Sequence, residues 1–136
     1  MTDLARFVEA QRDTYGQALA ELTAGRKRGH WMWFVFPQIA GLGRSATAQR
    51  YAVADLAEAR AYLAHPVLGP RLVECAQALL GVADRTAEQI LGYPDDLKLR
   101  SSMTLFARAA GDPTVFRAVL DRYYGGEDDP ATLQRL

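Results

Sequence analysis

Apolar residues recur at three- and four-residue steps along most of this chain, and nowhere do apolar and polar residues alternate over a run long enough for a half-buried strand. That periodicity points to helices. Leu4, Val8, Gln11, Tyr15, Ala18 and Leu22, with Phe7 and Leu19 beside them, predict one amphipathic helix over 3–24, capped by Thr2 or Asp3 and stopped by Gly25. The basic run Arg26-Lys27-Arg28 follows, where it favours the negative end of that helix.

Further along, helix starts are written in cap chemistry. Asp55-Leu56-Ala57-Glu58 and Thr86-Ala87-Glu88-Gln89 have the spacing of capping boxes, in which the first and fourth side chains satisfy each other's free backbone N–H groups. Pro66, as a first helical residue, predicts a break between a helix near 56–64 and another near 66–80 that buries Leu68, Leu72, Cys75, Ala76 and Leu79. Asp95 or Asp96 opens a helix with the stripe Leu99, Met103, Phe106 and Ala110, stopped by Gly111. Asp112-Pro113 opens another, with Phe116, Val119, Leu120 and Tyr123 inside and Gly125-Gly126 as its stop, and Asp129-Pro130 begins a last short turn. The bulky run at 31–37 reads as a helical or irregular buried segment. After it Gly41-Leu42-Gly43 marks a tight turn, and Ser45 caps a helix carrying Ala46, Tyr51 and Val53. The expected fold is all-α: one compact domain over 1–136, an irregular orthogonal array of about seven or eight short helices.

Composition limits the function classes. Of 136 residues, 49% are hydrophobic and 24% charged, enough apolar material for one core and too much for a disordered chain. Sixteen Lys and Arg cancel sixteen Asp and Glu, so no bulk field draws the chain to nucleic acid or to an anionic membrane. No apolar run approaches the ~18 residues of a bilayer span. The charged N-terminus is unlike a signal peptide, so a cytoplasmic location is expected. A lone Cys75 and two histidines, with no close carboxylate–histidine spacing, predict neither a disulfide nor a metal site. Walker A, G-x-G-x-x-G and G-x-S-x-G patterns are absent, and no cofactor is implied.

The charge is unevenly distributed. Between Leu22 and Ala54 there is no carboxylate, while Arg26, Lys27, Arg28, Arg44 and Arg50 lie in that stretch with four glycines and the helix start at Ser45. This favours an anionic small molecule, although a solvated basic face explains the same run. His30, Trp31, Trp33 and Gln38 offer a proton carrier, stacking rings and an amide, while tryptophans in such a run also serve simply as core. Lys98 and Ser102, four apart on the shoulder of an apolar stripe, point to a groove rim able to hold phosphate or activate a hydroxyl, although a boundary lysine with a small neighbour explains the same pair. Gln11 faces the core, where its amide needs a partner in ligand or protein. Cys75 reads as inert core, and His65, before Pro66, as a helix-junction residue.

Several stretches together resemble the bacterial DUF1810 (Rv1873-like) family. They are residues 4–11, HWMWFVFPQ at 30–38 with GLGRS at 41–45, residues 58–72, and DLKLRSSMTLF at 96–106. The resemblance spans nearly the whole chain; Gly29, where the family motif has serine, is its one departure. It implies a small, mostly helical cytosolic protein and supplies no activity. Members of that family are sometimes labelled calpastatin, but a calpastatin-type inhibitor is a disordered polar chain, at odds with the capped helices here.

From these residues the leading expectation is a binder or processor of a small anionic, nucleotide-like or phosphorylated ligand, in a groove between the 30–45 segment and the 98–102 helix edge. His30, Lys98 and Ser102 are its candidate catalytic residues; Gln11, Trp31, Trp33, Gln38, Arg44 and Ser45 are its candidate ligand contacts. Glycosidic cleavage of a nucleotide conjugate is a subclass for which no carboxylate pair can be assigned. The alternative is a non-catalytic protein–protein interaction module, with the aromatic segment as its surface. Direct nucleic-acid binding is a weaker third reading.

Overall fold

In the computed structural model, which describes residues 3–136, ten helices follow one another with no strand among the described residues. They are α1 (Ala5–Gln11), α2 (Tyr15–Ala24), α3 (Met32–Val35), α4 (Ala46–Arg50), α5 (Leu56–Ala64), α6 (Leu68–Leu80), α7 (Ala87–Leu91), α8 (Asp95–Ala109), α9 (Thr114–Tyr124) and α10 (Pro130–Leu133). The chain is all-α and forms one compact domain, with more helices than the seven or eight expected.

Part of the difference arises at the N-terminus, where the helix predicted over 3–24 is two. Asp13, Thr14 and Gly16 are poor helix formers, and the halves have different partners: α1 packs on α3 and α2 on α6. One straight helix cannot reach both. Of the two cap candidates, Thr2 lies outside the described residues, and Asp3 accepts the Ala5 N–H at 3.0 Å.

Ser45 caps α4, its Oγ accepting from the Ala48 N–H at 3.1 Å, but α4 ends at Arg50, short of Val53. Val53 is instead held in a single parallel bridge to Ile39: its N–H donates to the Gln38 carbonyl and its carbonyl accepts from Ala40 N–H, both at 2.8 Å. Arg6 of α1 fastens this turn from below, donating to the carbonyls of Arg50 and Ala52 and to Glu58.

The capping box at Thr86–Gln89 is complete. At α5 only half forms: Asp55 accepts the Glu58 N–H at 2.8 Å, while the Glu58 carboxylate takes the N–H of Ala54 rather than that of Asp55. That places Glu58 where Arg6 reaches it, at 2.9 Å. Pro66 sits in the turn ahead of α6 and not at its first position. His65 ties that turn to the helix start, its Nδ1 accepting from the N–H groups of Val67 and Leu68 at 3.1 and 3.2 Å.

The molecule is organised around α8, against which α5, α7, α9 and α10 all pack. Phe106 on α8 meets Tyr62 of α5 and Phe116 of α9 with ring centres 5.3 and 6.1 Å apart, and Tyr62 continues to Phe7 of α1, edge-on at 5.2 Å. Surrounded in this way, α8 is buried at every residue over 101–106, a wider face than the stripe of Leu99, Met103 and Phe106. Cys75 on α6 is fully buried, and burial pushes its thiol up to about 12, so it carries no thiolate at neutral pH.

Candidate functional site

A groove of about 290 Å³ runs between the chain around α3 and α4 and the first turns of α8. Trp33, Gln38, Leu42 and Gly43 form one wall, and Pro94, Leu97, Lys98 and Ser101 the other. Asp129 and Ala131, at the start of α10, close its end. The first wall depends on glycine, because Gly43 lies so close to α4 that a Cβ there would collide with that of Ala48. It depends equally on Gln11. Buried beneath α3, Gln11 donates its amide to the Phe34 carbonyl at 2.7 Å and to the Tyr62 hydroxyl at 3.2 Å, satisfying a carbonyl that so short a helix leaves free.

The electrostatic centre is a shared carboxylate. Asp95 pairs through Oδ2 with Lys27 Nζ at 2.9 Å and through Oδ1 with Lys98 Nζ at 3.2 Å, so two ammonium groups share one carboxylate. The Lys98 ammonium also lies 4.7 Å from the centre of the Trp33 ring. At the other end Asp129 Oδ2 accepts from the hydroxyls of Ser101 at 2.7 Å and Thr132 at 2.6 Å, and the Asp129 N–H donates to Thr104 Oγ1 at 2.9 Å. Burial raises the Asp129 carboxyl, but the hydrogen bonds from Thr132, Ser101 and the Ala131 backbone, with the charge of Arg100, outweigh it and hold the group below the ordinary range. It is ionised at neutral pH.

Of the residues singled out from the sequence, Trp33, Gln38 and Lys98 come together here. The others do not. Ser102 is fully buried within α8 and reaches no rim: the groove takes Lys98 and the residue three on, Ser101, while Ser102 turns into the core. Gln11 spends its amide on protein partners, as above. Trp31 is fully buried, its indole N–H donating to Glu21 at 2.9 Å, and so is core and not a stacking platform. His30 and Arg44 are exposed and line no part of the groove, and Ser45 commits its hydroxyl to capping α4. Two polar groove residues were not singled out from the sequence, Ser101 and Asp129, the latter read only as a turn; Asp95, read only as a helix start, pairs with Lys98 without lining the groove. The spacing of Ser101 from Lys98 was a usable signal, whereas Asp129 meets α8 only through the path of the chain.

Among the described residues the buried Ser102 hydroxyl has no hydrogen-bond partner. Ser102→Ala is therefore expected to leave stability unchanged or raise it by about 1 kcal/mol, since an unpaired buried hydroxyl costs more than the methyl that replaces it. Urea denaturation checks this, and a loss above that amount would show that the hydroxyl is paired.

Among the described residues no group of histidines, cysteines and carboxylates is arranged to hold a metal ion, and no helix is long and apolar enough to cross a membrane. Comparison with curated proteins finds no match. Among solved structures, the crystal structure of the conserved hypothetical protein Rv1873 from Mycobacterium tuberculosis is similar over 98% of this chain and 96% of that one, at 57% identity and a TM-score of 0.97. The model of a family described as "Protein of unknown function (DUF1810)" matches residues 1–136. On the strength of that match, and of a fold shared with Rv1873 over nearly the whole chain, this protein belongs to the DUF1810 family.

Proposed function

We propose that this protein binds a small anionic ligand, nucleotide-like or phosphorylated, in the groove between α3 and α8. The observation that carries the reading is the ammonium of Lys98, which has only a share of Asp95, with Lys27 as the other claimant, and borders an apolar-walled hollow. An anion entering there completes the charge balance at Lys98, with Trp33 and Leu97 covering its apolar part and Gln38 supplying an amide. Arg44 and His30 have no part in it.

The test is a thermal-shift series with nucleotides and phosphorylated metabolites. A ligand at a hundredfold excess over its Kd stabilises the folded state by about 2.7 kcal/mol. Lys98→Ala is expected to abolish that shift, and His30→Ala to leave it intact. Failure of every ligand to move the wild-type melting temperature, or an undiminished shift in Lys98→Ala, would sink the reading.

One observation favours the alternative of a protein-interaction module. Tyr93 and Leu97 are 74% and 49% exposed at the α8 side of the groove, more than large apolar residues usually are. That reading predicts that Tyr93→Ser, outside the groove lining, abolishes association with a cellular partner while the ligand-induced shift is unchanged.

A further inference from the structure

We infer that Asp129 and Ser101 form a hydroxyl-recognising subsite one helical turn from Lys98, which makes the ligand of the groove a phosphorylated pentose, as in a 5′-nucleotide. This rests on the anion-binding reading of Lys98 and specifies what the rest of the ligand must be.

Ser101 Oγ donates its single proton to Asp129 Oδ2 at 2.7 Å, with the Leu97 carbonyl as a longer partner at 3.3 Å, and Thr132 gives its proton to the same carboxylate oxygen. Those hydroxyl protons are committed. What the pair offers the groove is acceptors alone: the remaining lone pairs of the Asp129 carboxylate and of Ser101 Oγ. A second phosphate or carboxylate facing this wall meets negative charge with no proton to bridge it, whereas a hydroxyl donates into it, as ribose hydroxyls do to carboxylates at other nucleotide sites.

Lys98 and Ser101 are three apart on α8 and share one face, so the cation and the acceptors border the same stretch of groove. A pentose phosphate carries an anion and ring hydroxyls on one small framework and matches that pairing. The groove thus presents a cation, then acceptors, along one helix edge, and a ligand with an anion at one end and hydroxyls beside it fits in a single orientation. A compact polyanion such as pyrophosphate fits in neither direction.

Isothermal titration with adenosine 5′-monophosphate and its 2′,3′-dideoxy counterpart tests this. Wild-type protein is expected to bind the ribonucleotide about tenfold more tightly, the worth of one good charge-assisted hydrogen bond. In Asp129→Asn the amide oxygen still accepts from the Ser101 and Thr132 hydroxyls, but the amide turns donors toward the groove. The preference is expected to fall to within about twofold. Lys98→Ala is expected to weaken both nucleotides alike. Equal binding of the two nucleotides by wild type, or a preference that survives in Asp129→Asn, overturns this inference and leaves the reading of Lys98 standing. Binding of neither overturns this inference, and the reading of Lys98 falls with it only if no ligand of the thermal-shift series binds either. Should Asp129→Asn not fold, the wild-type comparison decides alone.

Discussion

Replacing Gly69 with alanine is expected to destabilise the protein by about 3 kcal/mol, at the upper end for overpacking a close-fitted interior. Gly69 is the second residue of α6 and is buried where that helix crosses the end of α5. A methyl carbon added there would overlap the Leu63 carbonyl oxygen, which is backbone and cannot rotate away. Neither helix can retreat. Tyr62, beside Leu63, is locked between Phe7 and Phe106, and the start of α6 is held by the two hydrogen bonds to His65. Denaturation in urea checks the figure, with a fall in melting temperature of roughly 10 °C as the thermal counterpart. Gly16 is the control: it has open space where a Cβ would go and lies in α2, so Gly16→Ala is expected to stabilise by up to about 1 kcal/mol. A Gly69→Ala variant as stable as wild type would mean that α5 and α6 do not meet at this point.

Removing the Glu21 carboxylate is the second large effect. Its Oε1 accepts three N–H groups, from the backbones of Arg28 and Gly29 at 2.8 and 2.9 Å and from the Trp31 indole at 2.9 Å, and Oε2 accepts from Gln17 at 2.7 Å. One side chain thereby folds the basic segment 26–31 back onto α2. In Glu21→Ala water can reach the two backbone groups, but the indole of fully buried Trp31 loses its only acceptor, and a loss of about 2–3 kcal/mol is expected. The pH dependence has a definite sign. Burial raises the Glu21 carboxyl, but the hydrogen bonds from Gly29, Arg28, Trp31 and Gln17 outweigh it and lower the pKa to about 2 from the ordinary 4.5. A depressed carboxyl stabilises the folded form fully above its unfolded value and loses that contribution as pH falls through the folded one. Stability attributable to Glu21 is therefore intact above about pH 5 and fades between there and pH 2. Glu21→Gln, which keeps the shape but cannot ionise, is expected to flatten that part of the acid-denaturation curve. An unchanged curve would show that Glu21 is not the acceptor described.

Lys27 ties this segment to the groove, since its ammonium bonds the Gly29 carbonyl at 2.6 Å and Asp95 at 2.9 Å. The basic run that suggested a ligand-binding loop is thus consumed in part by the fold: Lys27 faces Asp95 across the chain, and the backbone of Arg28 serves Glu21. Only one of its consequences reaches the groove, the half share of Asp95 left to Lys98.

What sequence alone determined is whatever a few neighbouring residues can settle between themselves. Helical class follows from spacing, since residues three and four apart share a face in any helix. The starts at Ser45, Asp55 and Thr86 follow from side chains that reach a backbone N–H only three residues away. The core stripes of α6 and α9 follow likewise. Tertiary structure decided the rest. It split 3–24, because α3 and α6 lie in different directions. It buried Ser102 by surrounding α8, which left Lys98 and Ser101 as the groove face, and it turned Gln11 and Trp31 inward. It also brought Asp129 to Ser101 across 28 positions of chain. A local pattern records which residues can share a surface. Which of those surfaces is covered, and by what, depends on neighbours far along the chain, and in this protein the candidate site lies on a surface defined by that remaining packing.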